Sequence, residues 1–516
     1  MTSGMNRRNF LQLISLLPLS IPLIASSNPA PQFRKTPAHT PNILIVIFDA
    51  LSAFNVSLYG YRRETMPNLA RFAERATVYH AHYAAGNFTT PGTTSLLTGT
   101  YPWTHRALHH FGTPLDTYTS QNIFKEFGSG KYTRIGFSHN QLTNILLHQF
   151  KENLEEFPSP DEVSLVDLNI SDYIFDADFS VAYQSERRYL KNSGHMSNSL
   201  YLHPIVFAIR KFVDSLFDDR YRAAYPSGVP SLHDMYFPLE DTIDWIMKQI
   251  KRWEQPFLAY LHMMPPHNPY RPRREFTNLY RDGWHPEAKP DHFFADFDFS
   301  QTALDINRIA YDQYVAYVDA EFSRLHEFMQ AEGLYDNTIV VFTSDHGEMF
   351  ERKIWRHETP TLFQPIINVP LLISIPGQTT RQDVYTPTSC VDILPTLLQL
   401  TGRSIPSWIE GLVLPPYVKK EHASDRSIFM VEAKSNAKWA PLRKATVAMI
   451  KDDFKLIHYR GYEGYDGVYE LYNLREDPEE LDNLYATQPT IAAELQQELI
   501  AKIEEKDAPF TLSNNG

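Results

Sequence analysis

The sequence predicts an α/β protein, with a mostly parallel sheet flanked by helices and a small antiparallel C-terminal subdomain. Three observations carry this. Asn42–Phe48 (NILIVIF) and Thr338–Thr343 (TIVVFT) are near-continuous apolar runs, the pattern of strands buried on both faces. Helix-periodic stretches separate such runs, the longest from Thr302 to Ala331. Beyond about Pro416 the alternation gives way to short strands and one terminal helix.

At 516 residues, the chain exceeds what one hydrophobic core usually serves, so a large domain over 41–415 and a subdomain over 416–516 are expected. Hydrophobic residues at 43% are ample for a packed core, and a net charge of −13 argues against a nucleic-acid partner. A single cysteine, Cys390, excludes an internal disulfide framework and any cysteine-based zinc site, and its apolar neighbours predict burial. Residues 1–30 read as a signal peptide: Asn6-Arg7-Arg8-Asn9-Phe10-Leu11 precedes a proline-interrupted apolar run that is short for a membrane span. The paired arginines resemble a signal for the twin-arginine export machinery, with residues 31–40 as a linker. The expected location is periplasmic or extracellular. An uncleaved N-terminus would leave the protein membrane-anchored.

Along the chain, the first strand ends at Asp49. Met66–Thr77 has helical spacing. Thr89-Thr90-Pro91 then opens an apolar helical turn, where free N–H groups and the helix dipole favour an anion. A strand over Tyr132–Phe137 leads to Ser138-His139-Asn140. The region 157–236 reads as an insertion over one side of the site, with a helix around Pro204–Leu216. An amphipathic helix over Leu239–Trp253 and a strand over Pro256–Leu261 lead to His262 and His267. The long helix is expected to bury Ile306, Ala310, Tyr317, Val318, Phe322, Leu325 and Met329. After Asp345-His346 come His357, a strand over Val369–Ile375 and a helix over Asp392–Thr401. Strands over 427–431, 446–451, 454–459 and 470–472 and a helix over Thr490–Lys506 complete the chain.

An Asp-His pair closing one strand reads, alone, as a turn. Here strand ends deliver Asp49, Asp345 with His346, His262 with His267, and His139, while a helix start delivers Thr89. Two carboxylates, an imidazole and a hydroxyl make a site for one divalent cation, which lowers the hydroxyl's pKa and makes it a nucleophile. Oxygen ligands admit calcium, manganese or magnesium, and His346 with Thr89 also allows zinc.

These pieces resemble the sulfatase family of the alkaline-phosphatase superfamily. The matching segments are Pro41–Ile45 with Asp49, Ser95–Gly99 with Tyr101-Pro102, Pro266–Tyr270, and Thr343–Glu348. Val369–Leu371, Asp392–Leu397, Glu470–Leu474, Asp477-Pro478 and Asn483-Leu484 continue the match in family order. The resemblance implies an α/β catalytic domain, a small C-terminal sheet, and one metal beside a helix-start nucleophile. It departs at the nucleophile: the family's Cys or Ser, oxidised to formylglycine, is Thr89 here, so no formylglycine is expected, since oxidising threonine would give a ketone. The Ser-Arg after the proline is replaced by Gly92-Thr93, the second aspartate by Ala50, and an expected lysine by Phe137.

A threonine nucleophile is similar instead to the superfamily's phosphoryl-transfer branches, such as phosphoethanolamine transferases and lipoteichoic acid synthase. That resemblance implies Asp49, Thr89, Asp345 and His346 around the metal, and His267 and His357 as catalytic groups on the transferred group's oxygens. His139 and His262 are possible substrate-binding residues, Thr90 is the reserve nucleophile, and His105, His109 and His110 are read as loop residues. The expected function is an exported, metal-dependent hydrolase or transferase. Its substrate would be a phosphate or sulfate ester, small or linked to lipid or polysaccharide. A degenerate relative that binds such an ester without turnover is the alternative, and an adhesive envelope protein a third.

Overall fold

The computed structural model describes residues 40–129, 132–158, 160–163, 221, 223–232, 235–296, 299–418 and 426–511. The predicted signal peptide, nearly all of the linker, the helix around Pro204–Leu216 and most of the insertion lie outside the described residues.

The named elements are β1 (Asn42–Phe48), α1 (Pro67–Ala73), β2 (Thr77–Tyr79), α2 (Thr89–Thr98), β3 (Thr133–Ser138), α3 (Gln141–Gln149), α4 (Leu239–Ile250), β4 (Phe257–Met263), α5 (Gln301–Ala331), β5 (Thr338–Thr343), β6 (Leu371–Ser374), β7 (Gln382–Val384), α6 (Ile393–Leu400), β8 (Ile428–Glu432), β9 (Ala445–Lys451), β10 (Phe454–Arg460), β11 (Val468–Asn473) and α7 (Pro489–Thr511). The main sheet runs β7-β2-β6-β5-β1-β4-β3. β1 pairs in parallel with both β4 and β5, and β4 with β3, whereas β6 is antiparallel to β5 and β2. The second sheet, β8-β9-β10-β11, is an antiparallel meander.

Burial on both faces explains the continuous apolar strands. Ile43, Ile45 and Ile47 enter one core with α2 and α6, whereas Leu44, Val46 and Phe48 enter the other with α4 and α5. The period-2 alternation of a strand therefore feeds two cores at once. The C-terminal sheet sends Val431, Val447, Met449 and Leu456 into the first core and Met430, Ala448 and Ile457 into a third.

Three sequence expectations need correction. The helix expected over Met66–Thr77 is only Pro67–Ala73, because β-branched Thr77 and Val78 pair with β6 and β7 as a strand. Ile306 is 63% exposed: it lies two residues beyond buried Leu304, about 200° around the helix. His105 closes a helical turn, Pro102–His105, and is buried, with Nε2 3.0 Å from Ser95 Oγ and Nδ1 accepting the Ala107 N–H. Cys390 is buried as expected and accepts the Ala85 N–H.

Candidate active site

Strand register brings the site together. Ile47 of β1 lies opposite Thr343 of β5 on one side and His262 of β4 on the other. Asp49, Asp345 and His262 thus converge at the carboxyl ends of three adjacent strands, where ligands of open α/β sheets bind. Ala50, at the position of the family's second aspartate, takes a left-handed conformation (φ 60°). Its N–H donates to Asp345 Oδ1, and its carbonyl accepts the Tyr311 hydroxyl at 2.6 Å. α2 begins at Thr89 and lies against the same loop: a Cβ on Gly92 would meet the Asp345 carbonyl oxygen at 2.3 Å.

Asp49 Oδ2 accepts from Asn140 Nδ2 at 2.5 Å and lies 3.0 Å from His262 Nε2, which is 3.8 Å from Asp345 Oδ2. His346 Nδ1 donates to the Gly347 carbonyl, which leaves Nε2 turned to the cluster. That Nε2 lies 3.4 Å from Asp49 Oδ1, 3.6 Å from Asp345 Oδ2 and 3.4 Å from Thr89 Oγ1. Asp49 Oδ1 and Asp345 Oδ2 are buried without a hydrogen bond of ordinary geometry. Two adjacent buried carboxylates with unsatisfied oxygens fit a cation, because burying such charge uncompensated is costly. Ligand atoms of Asp49, His262 and Asp345 all lie within 4.8 Å of one another.

The electrostatics agree. Burial raises the Asp345 carboxyl, and the charge of Asp49 adds to it. Burial also opposes ionisation of Asp49, but the His262, His267 and His346 imidazoles hold it well below the usual carboxylate range. Burial works against a charged His346, yet Asp345 and Asp49 push it up to about 10. The carboxylates thus draw a proton onto His346, and a divalent cation bound beside them would take that proton's place.

A second set adjoins the first. The His357 ring centre is 4.1 Å from that of His346 and 5.0 Å from that of His267. His357 Nδ1 lies 2.9 Å from Glu348 Oε1, and Glu348 Oε2 accepts the Tyr270 hydroxyl at 3.0 Å. Burial pushes Glu348 up to about 7, and burial with the neighbouring His346 and His267 keeps His357 well below the ordinary imidazole value. His267 Nδ1 donates to the Asn268 carbonyl at 2.7 Å. In both rings Nε2 remains as the nitrogen able to meet a ligand. Asn87 does not face a ligand with its amide N–H groups, which hold the loop through the His357 and Thr359 carbonyls.

The structure also separates neighbours that spacing leaves equivalent. Thr90 Oγ1 donates to the His110 carbonyl, whereas Thr89 Oγ1 faces His346 and Asn140. His262 stands in the carboxylate cluster, with Nδ1 2.9 Å from the Tyr260 hydroxyl. His139 packs between Phe137 and Phe237, with Nε2 2.9 Å from Thr242 Oγ1 and Nδ1 accepting the Met264 N–H. Asn140 and Glu348 were not singled out in the sequence. Asn140 sits at a strand-to-helix junction, and that position was its only signal.

The sulfatase family profile matches residues 41–403, and the C-terminal profile of N-sulphoglucosamine sulphohydrolase matches 355–508. Choline-sulfatase of Rhizobium meliloti is 25% identical over 472 residues, covering 86% of this chain and 82% of that protein. Arylsulfatase K of Bos taurus is 26% identical over 297 residues, covering 50% of this chain and 53% of its own length. Among solved structures, the phosphonate monoester hydrolase of Agrobacterium radiobacter superposes with a TM-score of 0.65 at 17% identity. That alignment covers 90% of this chain and 96% of the other.

Proposed function

The chain belongs to the sulfatase family of ester-cleaving hydrolases, and on that premise we propose that it opens an anionic phosphate or sulfate ester with Thr89 as the nucleophile. The observation that carries this reading is the position of Thr89 Oγ1, at the start of α2 and 3.4 Å from His346 Nε2, beside two buried carboxylates with unsatisfied oxygens.

Asp49, Asp345, His262 and His346 would hold a divalent cation next to Thr89. When bound, the cation supplies Lewis-acid stabilisation of charge on the reacting oxygens. The free N–H groups at the start of α2 favour an anionic group in front of Thr89. His267 and His357, each anchored through Nδ1, offer Nε2 to the transferred group or to the departing oxygen.

Phosphorus is favoured over sulfur. A phospho-threonine can be opened by in-line attack of water or of an acceptor alcohol, so hydrolysis and transfer share one intermediate. An ordinary sulfo-threonine lacks the aldehyde-hydrate route that expels sulfate. The Asn6–Leu11 segment supports export through the twin-arginine machinery, and an exported enzyme would meet small or lipid- and polysaccharide-linked esters.

The test is turnover of 4-nitrophenyl phosphate, bis(4-nitrophenyl) phosphate and 4-nitrophenyl sulfate by the full chain loaded with calcium, magnesium, manganese or zinc. Thr89→Ala should lower kcat on the order of 10³-fold, and Asp345→Ala should abolish stoichiometric metal in elemental analysis. Wild-type turnover by Thr89→Ala would sink the nucleophile assignment. Sulfate-ester turnover without phosphate-ester turnover would sink the phosphoryl preference.

A further inference from the structure

Asn140 ends the loop after β3 and caps α3: its Oδ1 accepts the Leu142 N–H at 2.8 Å. Its backbone N–H donates to Ser138 Oγ at 2.8 Å, and its carbonyl accepts from the same hydroxyl. The side chain is buried, so the cap decides which end of the amide faces the site. With the oxygen committed to the helix, Nδ2 is turned inward. It donates to Asp49 Oδ2 at 2.5 Å and to Thr89 Oγ1 at 3.0 Å, one amide hydrogen for each acceptor.

We propose that Asn140 is a further catalytic residue, a helix-locked hydrogen-bond donor that holds the Thr89 nucleophile oxygen and stabilises the charge that develops on it. This inference rests on the reading of Thr89 as the nucleophile. The cap removes the amide oxygen from the site, so Asn140 acts as a donor and not as a metal ligand. By donating to Thr89 Oγ1 it fixes the threonine rotamer and leaves that residue's own hydroxyl hydrogen free to go: as the Oγ1–phosphorus bond forms and the ester's oxygen–phosphorus bond breaks, that proton ends on the departing alcohol oxygen. The bond strengthens when Oγ1 carries most charge, on losing its proton before attack and again as the leaving oxygen when the phospho-threonine is opened, and it is already oriented before reaction, the condition under which a donor contributes most. Because the same nitrogen also holds Asp49, the helix start of α3 ties the nucleophile to the metal-side carboxylate.

The experiment compares Asn140→Ser, which keeps a capping oxygen but loses the donor that spans both acceptors, with Asn140→Asp, which keeps the cap and replaces the donor by a carboxylate oxygen. Both are measured in the full metal-loaded chain beside Thr89→Ala, on whichever nitrophenyl ester the wild type turns over, with thermal unfolding and metal stoichiometry. The expected result is a kcat lower on the order of 10²-fold in both variants, with KM within about threefold. Metal content should be unchanged in Asn140→Ser. Mass-spectrometric labelling of Thr89 during turnover should fall in step with kcat. A wild-type kcat in either folded variant overturns the inference. So does loss of metal in proportion to loss of activity in Asn140→Ser, since the amide would then serve only Asp49. If Thr89→Ala is inactive while the Asn140 variants are active, this inference fails alone. Full activity in Thr89→Ala removes the nucleophile reading and this inference with it.

Discussion

Gly92 shows how closely the helix bearing Thr89 is seated. A Cβ there would lie 2.3 Å from the Asp345 carbonyl oxygen, a backbone atom that moves only if its loop moves. Either α2 or the loop carrying Asp345 and His346 would have to shift. A misplacement of about 1 Å at reacting groups can cost on the order of 10²-fold. Gly92→Ala should therefore lower turnover by about 10- to 100-fold, read from kcat on the nitrophenyl esters, together with a lower melting temperature. The serine that the family resemblance implies after the proline would meet the same obstacle, so the departure at Gly92 is tied to how near α2 approaches Asp345. The Phe137 that stands where a lysine was expected is buried in the core and packs against His139.

Among the described elements, the start of α6 is held by one buried carboxylate, that of Asp392. The turn Cys390–Asp392 before it carries a capping box between Ser389 and Asp392. Asp392 Oδ2 accepts from the Ser389 N–H and Arg426 Nη1, and Oδ1 accepts from the Leu412 N–H and Arg426 Nη2. One buried carboxylate thus joins a helix start, a following loop and the segment that leads into β8. Asp392→Ala should cost on the order of 3 kcal/mol, because it strands a guanidinium and two backbone donors. Urea unfolding of the full chain would show it as a lower midpoint, and an unchanged midpoint would contradict it. The segment Asp392–Leu397 was legible in the sequence as a motif. The partners of its aspartate were not, since Arg426 lies 34 residues away.

Across the whole molecule, the two-sided sheet buries several histidines in neutral form. Burial pushes His82 and His105 each down to about 3. Unfolded, each takes up a proton below about 6.5, so the unfolded state binds more protons there. Their contribution to stability is fully present above about 6.5 and is lost as pH falls toward about 3, at about 1.4 kcal/mol per pH unit for each group. The melting temperature should fall steadily from pH 7 to pH 5. His105→Gln keeps a polar partner for Ser95 but cannot titrate, so it should flatten that slope by about one proton. An equally steep slope in the variant would rule His105 out as a contributor.

What the sequence by itself determined is the set of residues bound covalently to strong local patterns. Asp49 and Asp345-His346 follow apolar runs, and Thr89 opens a helix, so a strand-end cluster of carboxylates and imidazole and the family were both readable along the chain. The fold class followed for the same reason, because burial on both faces leaves a continuous apolar run. What only the tertiary structure decided is which of the neighbouring polar groups face one another. His262 meets Asp49 across 213 residues of chain, and Asn140 meets Thr89 across 51. The packing of His139, the facing of Thr89 rather than Thr90 toward His346, and the direction of the Asn140 amide are likewise set by contacts between separate elements. Local propensity acts over a few residues, whereas these assignments depend on strand register and helix placement, which exist only once the two cores have closed on the sheet.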